Sequence, residues 1–370
     1  MRKLKIIYTG GTIGGKRSPQ GNIIEEDIKR ATFINLLERK YPSLKYVLKQ
    51  EKVQLSSVTP IKKFSENIIP PDWSTIAKSV YDACSEGTEA VVIAHGTDTM
   101  TYTAAALSFM LQGVKIPVIL TGSNYPMEME KTDAIRNMCD AIKVAIDKRF
   151  KGVFLVFSGV ENKPSDIHLG TRVRKEKFYE NCFKTVNTDI IGAIRRRHFL
   201  DTTEVIKIIN KKLFNEITEL NTKNNFELKN NTIIDKISFF KIYPGFNPEM
   251  IDYVVDKKET KGIILEVYNS GTACVEGKYS ILKSIEKANS KNNYIPVFIT
   301  SQHEGKVLMD TYISSKEIKE AGAIPLKDMI TESAIPKLMW ALGQTDSQKE
   351  VINLMLRNIS GEIEDDEKLD

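Results

Sequence analysis

Apolar and polar positions along the chain come in blocks, and the blocks have two different periods. Residues 3–8, Lys-Leu-Lys-Ile-Ile-Tyr, read as a short buried strand that runs directly into Thr9-Gly10-Gly11-Thr12-Ile13-Gly14-Gly15. Ala90 to Ala94, Ile116 to Leu120 and Gly152 to Phe157 are continuous apolar runs, the composition of parallel strands buried on both faces. A further strand-like segment lies near Val53 to Val58. Helical spacing predicts elements over Ile28 to Leu37, Met100 to Leu111 and Thr132 to Ile146. Pro70-Pro71-Asp72 announces another helix, with Trp73, Ile76, Ala77, Val80 and Cys84 on its inner face. Strand, polar loop, helix and strand in succession predict an α/β fold whose larger amino-terminal domain is doubly wound on a mainly parallel sheet.

The pattern changes after residue 200. Seven asparagines between Asn210 and Asn231, interspersed with lysines, read as an exposed helix plus linker. Strands resume at Ile237 to Tyr243, Gly262 to Val267 and Ile295 to Thr300, followed by helices near Thr331 to Leu342 and Ser347 to Arg357. The acidic end, Glu362 to Asp370, reads as a frayed tail. The expected division is a catalytic α/β domain over 1–200, an insert over 201–232 and a smaller α/β domain over 233–370.

Composition narrows the function classes. With 370 residues, 41% hydrophobic and 27% charged, the chain has the profile of a folded protein with a sizeable core. A net charge of +5, from 53 basic and 48 acidic residues, is too dilute for a nucleic-acid footprint. Cys84, Cys139, Cys182 and Cys274 are far apart, which suits reduced thiols. The apolar stretch before Gly10 is too short for a signal peptide, and no run reaches membrane-spanning length. The expected location is the cytoplasm, with no membrane and no nucleic-acid partner.

Chemistry gathers at strand ends. The first glycine loop fits neither the dinucleotide fingerprint nor the phosphate loop, because Thr12 stands where a second fingerprint glycine belongs and no Lys-Ser/Thr follows. It reads instead as a loop that presents Thr12 at the carboxyl end of a strand, where open α/β sheets bind ligands. His95-Gly96-Thr97-Asp98 and Thr121-Gly122-Ser123-Asn124 end two further strands. A threonine hydroxyl needs a base or a polarising neighbour to act as a nucleophile. Thr97 and Asp98 offer a second hydroxyl and a carboxylate, although the same pair also suits the cap of the following helix. His95 reads as structural, and His168, His198 and His303 show no metal spacing. Arg195-Arg196-Arg197 reads as a solvated or interface patch.

Thr9-Gly10-Gly11-Thr12-Ile13-Gly14 together with His95-Gly96-Thr97-Asp98-Thr99-Met100 resembles the bacterial-type L-asparaginase family, its cytosolic type I branch above all. The likeness continues through Pro117 to Ser123, Tyr243-Pro244-Gly245, Gly305-Lys306-Val307 and Gly361-Glu362. It implies conversion of L-asparagine to L-aspartate and ammonia, without metal or organic cofactor, by a homodimer or homotetramer. Thr12 matches the nucleophile, and Thr97, Asp98 and Lys175 match the proton-moving triad. Gly11, Ser65, Glu66, Gly96, Thr97 and Asp98 fall at substrate-binding positions, with the Thr97 N–H in the oxyanion hole. Thr272 falls where a neighbouring subunit lends an asparagine to the site. Asn22 stands where the family's mobile loop carries a tyrosine, and Gln302 where a cysteine-bearing allosteric segment lies. Ser65-Glu66-Asn67 and Gly170-Thr171-Arg172-Val173-Arg174-Lys175 are similar to the D subunit of archaeal glutamyl-tRNA(Gln) amidotransferase. An ammonia-releasing amidotransferase subunit and a catalytically weak amino-acid-binding homologue are therefore the alternatives.

Overall fold

In the computed structural model the described residues are 1–17, 23–25, 42–158, 165–177, 182–196, 204–227, 231–290 and 294–364. The chain divides into two compact units, Met1–Asn231 and Thr232–Asp370.

The first unit contains, in chain order, β1 (Arg2–Tyr8), β2 (Gly15–Arg17), β3 (Ile23–Glu25), β4 (Val53–Val58), β5 (Ala90–Ala94), β6 (Pro117–Thr121), β7 (Gly152–Phe157), β8 (Asp166–Leu169), β9 (Val173–Lys175), β10 (Phe183–Thr185), β11 (Gly192–Arg196) and β12 (Glu204–Ile208). Eight of them form one sheet in the order β12-β11-β8-β7-β6-β5-β1-β4. The stretch from β4 to β7 is parallel, and β8, β11 and β12 are antiparallel additions. The chain leaves β1 toward β4 on one side and returns to β5 on the other. The winding direction therefore reverses between β1 and β5, and open α/β sheets bind ligands outside the carboxyl ends of the strands at such a point.

The sheet is closed on both faces, as its unbroken apolar strands require. Ile6, Val92, Ile119 and Phe154 pack with Met138 and Ile142 of helix Ala134–Ile146. Helix Met100–Met110 is buried on nearly all sides, and Trp73 of helix Pro70–Ser85 donates its Nε1–H to Thr103 Oγ1 at 3.1 Å. Trp73, Ile76, Ala77 and Val80 are inside as the spacing predicts, but Ala83 is buried where Cys84 was expected, and Cys84 is half-buried. The expected helix over Ile28 to Leu37 lies outside the described residues.

Residues 204–223 differ from the exposed helix and linker read from composition. β12 pairs with β11 at the sheet edge, and helix Lys211–Lys223 buries Phe214 and Ile217. Phe150 meets both Phe154 and Phe214 edge-on, with ring centroids 5.2 and 5.0 Å apart. This segment is part of the first unit's core.

The second unit holds a parallel sheet of β13 (Ile237–Lys241), β14 (Gly262–Val267), β15 (Val297–Ser301) and β16 (Ile324–Pro325), in that order. Ile263, Leu265, Val297 and Ile299 form its core with Ile251, Ile285 and Ile318 from the helices. The frayed-tail expectation fails at its start. Glu362 is fully buried and paired with Lys337, because a charge at the chain end has found a buried partner.

Candidate active site

The ends of β1 and β5 meet because the strands are hydrogen-bonded neighbours, Tyr8 standing opposite Ala94. Thr9 donates its N–H and its hydroxyl to the Ala94 carbonyl at 3.0 and 3.1 Å, and its own carbonyl accepts from the Lys63 N–H at 3.0 Å. Gly10 and Gly11 have φ of +102° and +82°, the left-handed region that costs glycine least. A Cβ on Gly11 would lie 2.6 Å from the Gly96 backbone, and one on Gly96 would lie 2.7 Å from the Ser65 side chain. Three backbones thus touch where any side chain would hold them apart. The chain then enters a one-turn helix, Thr12–Gly14, anchored by buried Ile13, with Thr12 half-buried.

Ser65 comes from the segment between β4 and helix Pro70–Ser85. This segment is fastened by the Lys63 ammonium on both Asp72 oxygens, at 3.0 and 2.8 Å, while Asp72 accepts from the Ile69 N–H. Ser65 is buried; its Oγ accepts from the Asp98 N–H at 3.2 Å, and its carbonyl accepts from the Thr99 hydroxyl at 2.7 Å. Glu66, beside it in the short helix Ser65–Asn67, is exposed. No side chain caps helix Met100–Met110, so the capping role open to Thr97 and Asp98 is not what they perform. Their partner is Lys175, at the end of the β9–β10 hairpin. Its Nζ donates to Thr97 Oγ1 at 3.0 Å and to Asp98 Oδ1 at 2.5 Å.

Behind Lys175 lies a layer that the sequence reading did not assemble, although Asn124 stood in one of its strand-end clusters and Cys182 among its reduced thiols. Cys182 is buried, and its thiol donates to Asn124 Oδ1 at 3.4 Å. Burial pushes this thiol up, against the Asn124 contact and the Lys175 charge. The Asn124 and Tyr125 N–H groups both donate to Asp133, whose carboxyl is raised chiefly by burial. Asp133 also accepts from Asn137, and nothing in the local spacing marks this cluster in advance.

Of the expected site residues, Gly11, Thr12, Ser65, Glu66, Gly96, Thr97, Asp98 and Lys175 all belong to the first unit and to segments joined by these contacts. Thr272 belongs to the second unit, in the turn after β14, where its hydroxyl donates to the Asn269 carbonyl at 3.0 Å. Asn22 lies outside the described residues. Among the described residues no group of three or more His, Cys, Asp or Glu could hold a metal ion, and no helix is long and apolar enough to cross a membrane.

His95 and His168 are both buried, and burial pulls each pKa down to about 4. Both are therefore neutral when folded, whereas the unfolded chain protonates them near 6.5. Between those values the unfolded state binds the additional protons, so stability is fully present above 6.5 and is lost as pH falls toward 4. Each histidine should contribute a slope of up to about 1.4 kcal/mol per pH unit in that window. Urea unfolding at pH 7, 6 and 5 measures it, and a flat profile would contradict the two buried neutral rings.

The family description "Asparaginase, N-terminal" matches residues 3–205, and "Glutaminase/Asparaginase C-terminal domain" matches residues 236–355. The D subunit of glutamyl-tRNA(Gln) amidotransferase from Methanosphaera stadtmanae is 31% identical over 98% of this chain and 77% of its own length. The Pyrococcus abyssi protein of the same name is 35% identical over 81% of this chain and 65% of its own. Among solved structures, the thermostable L-asparaginase from Thermococcus kodakarensis superposes with a TM-score of 0.78 at 30% identity, covering 98% of this chain and 99% of that one. L-asparaginase I from Vibrio cholerae gives 0.79 at 26% identity over the same shares.

Proposed function

Because the chain belongs to the asparaginase family, we propose that it is an amidohydrolase releasing ammonia from the side-chain amide of L-asparagine through an acyl intermediate on Thr12. The observation that carries this reading is the Lys175 ammonium on Thr97 and Asp98, one strand away from the glycine loop that presents Thr12. Thr12 Oγ attacks the amide carbon, the amide oxygen takes up negative charge, and the Thr97 N–H donates to it. The C–N bond then breaks as the proton lost from the Thr12 hydroxyl is delivered to nitrogen, and ammonia leaves. Water, deprotonated through Thr97 and the Lys175–Asp98 pair, hydrolyses the ester and restores Thr12. Ser65 and Glu66 hold the α-carboxylate and α-ammonium, and Asp98 shares the ammonium. A homo-oligomer in which a second copy brings Thr272 to the site completes the reading, with the cytoplasm as its location.

The identity with amidotransferase D subunits, together with Ser65-Glu66-Asn67 and Gly170 to Lys175, supports a second reading, in which the same acyl chemistry supplies ammonia to a tRNA-dependent partner. Ammonia release by the purified chain from L-Asn, D-Asn and L-Gln separates the two. Turnover of L-Asn without other components is expected. One methylene is worth about 1–3 kcal/mol in a pocket, so L-Gln should be slower by about 10- to 200-fold. Silence until glutamylated tRNA and a partner protein are added would favour the second reading. Silence with tight L-Asn binding would leave a binding protein.

A further inference from the structure

His95 directly follows β5, is fully buried and has a use that its reading as a structural residue leaves out. Its Nδ1 lies 2.7 Å from the Gly96 carbonyl oxygen. A carbonyl only accepts, so Nδ1 carries the proton and the ring is the Nδ1–H tautomer, its Nε2 buried without a partner among the described residues. The chain has no cis peptide among its described residues, and in a trans peptide the C=O and the following N–H point in opposite directions. Tying the Gly96 carbonyl to the imidazole therefore aims the Thr97 N–H away from it.

The neighbouring peptides are tied as well. The His95 N–H donates to the Thr121 carbonyl at 2.9 Å, and the Asp98 N–H donates to Ser65 Oγ at 3.2 Å. Between them, the Gly96 and Thr97 N–H groups donate to no protein acceptor among the described residues. We propose that His95 is a positioning residue that fixes the plane of the Gly96–Thr97 peptide and so preorganises the Thr97 N–H for the oxyanion of amide attack. This rests on the amidohydrolase reading above. Burial, which pulls the imidazole down to about 4, keeps the ring neutral and the tautomer constant at neutral pH.

A donor aimed at an oxyanion acts in the transition state more than on bound substrate, so its misalignment falls on kcat and leaves KM nearly unchanged. Two variants and one spectrum test this. His95→Leu removes the donor and should lower kcat for ammonia release by tenfold or more. His95→Asn places an amide N–H near the Nδ1 position and should recover most of that loss, which side-chain volume alone would not predict. In the unaltered protein labelled with 15N-histidine, His95 should show a protonated Nδ1 and an unprotonated Nε2 from pH 8 to pH 6. Equal losses in the two variants, a kcat for His95→Leu within twofold of the unaltered enzyme, or a protonated Nε2 would each overturn the proposal. The spectrum decides even where His95→Leu does not fold. An unaltered chain that releases ammonia from no amide would overturn the amidohydrolase reading, and this proposal with it; active enzyme with an indifferent His95→Leu would overturn this proposal alone.

Discussion

Replacing Thr12 by alanine should lower ammonia release from L-asparagine by about a thousandfold or more, and adding Lys175→Met should cost little beyond that. Lys175→Met by itself should cost about 10²–10⁴, the range of a positioned acid–base group. The argument for non-additivity is geometric. Lys175 touches Thr97 and Asp98, at 3.0 and 2.5 Å, and acts on the reaction through them, so it has nothing left to assist once the acyl bond cannot form. Both variants should fold. The Lys175–Asp98 pair is partly exposed, with 60% of the Asp98 side chain open to solvent, and exposed pairs contribute little to stability. Steady-state ammonia release, with hydroxylamine trapping of the acyl group, measures the effect. A Thr12→Ala variant within tenfold of the unaltered enzyme would remove Thr12 as nucleophile and leave direct attack by water. Independent, multiplying losses would mean that Lys175 serves some other step.

The parts of this site that were legible in the sequence are those that sit at the ends of buried parallel strands. β5 is apolar on both faces and β1 becomes apolar toward its carboxyl end, so their limits are visible as the places where Gly, Thr and Asp follow Ile6-Ile7-Tyr8 and Ala90 to Ala94. Gly10, Gly11 and Gly96 are glycine for a reason visible only in three dimensions, since each lies where a Cβ would strike another backbone or the Ser65 side chain. Lys175 was different. It lies 78 positions from Thr97 and is surrounded by other basic residues, so it resembles a surface lysine, and family resemblance alone singled it out. β12 was obscured by the asparagine- and lysine-rich segment beside it. Its own alternation was nevertheless present, with Ile206 and Ile208 packed on the core and Val205 exposed. Asn124 was visible only as part of the polar end of a strand, and its link to Asp133 and Cys182 left no local trace, because it depends on a turn and a hairpin that come together only in the fold.

Glu362→Gln should destabilise the second unit by about 3–5 kcal/mol, the cost of leaving one member of a buried ion pair without its opposite charge. Both side chains are fully buried, and Lys337 Nζ lies 2.5 Å from Glu362 Oε1. Burial pulls the Lys337 ammonium below its ordinary range, further than the adjacent carboxylate restores. The charge is tolerated because its other donors reach the Met355 and Arg357 carbonyls at 3.0 and 2.6 Å. Glu362 in turn accepts from the Ile359 and Ser360 N–H groups. The pair thereby ties helix Thr331–Gln344 to the chain end beyond helix Gln348–Leu356, which a frayed tail could not do. Glutamine keeps one oxygen, which at the Oε2 position still accepts from both N–H groups, and turns an NH2 toward Lys337, so the loss combines the missing charge with a missing acceptor for the ammonium. Lys337→Met should cost a similar amount. The double variant Lys337→Met/Glu362→Gln should then recover part of the loss, since no isolated charge remains, but not all of it, since two carbonyls lose their donor. Urea unfolding of the four proteins closes the double-mutant cycle. Strictly additive losses would show that the two side chains stabilise the chain end independently, as separate hydrogen-bonding groups.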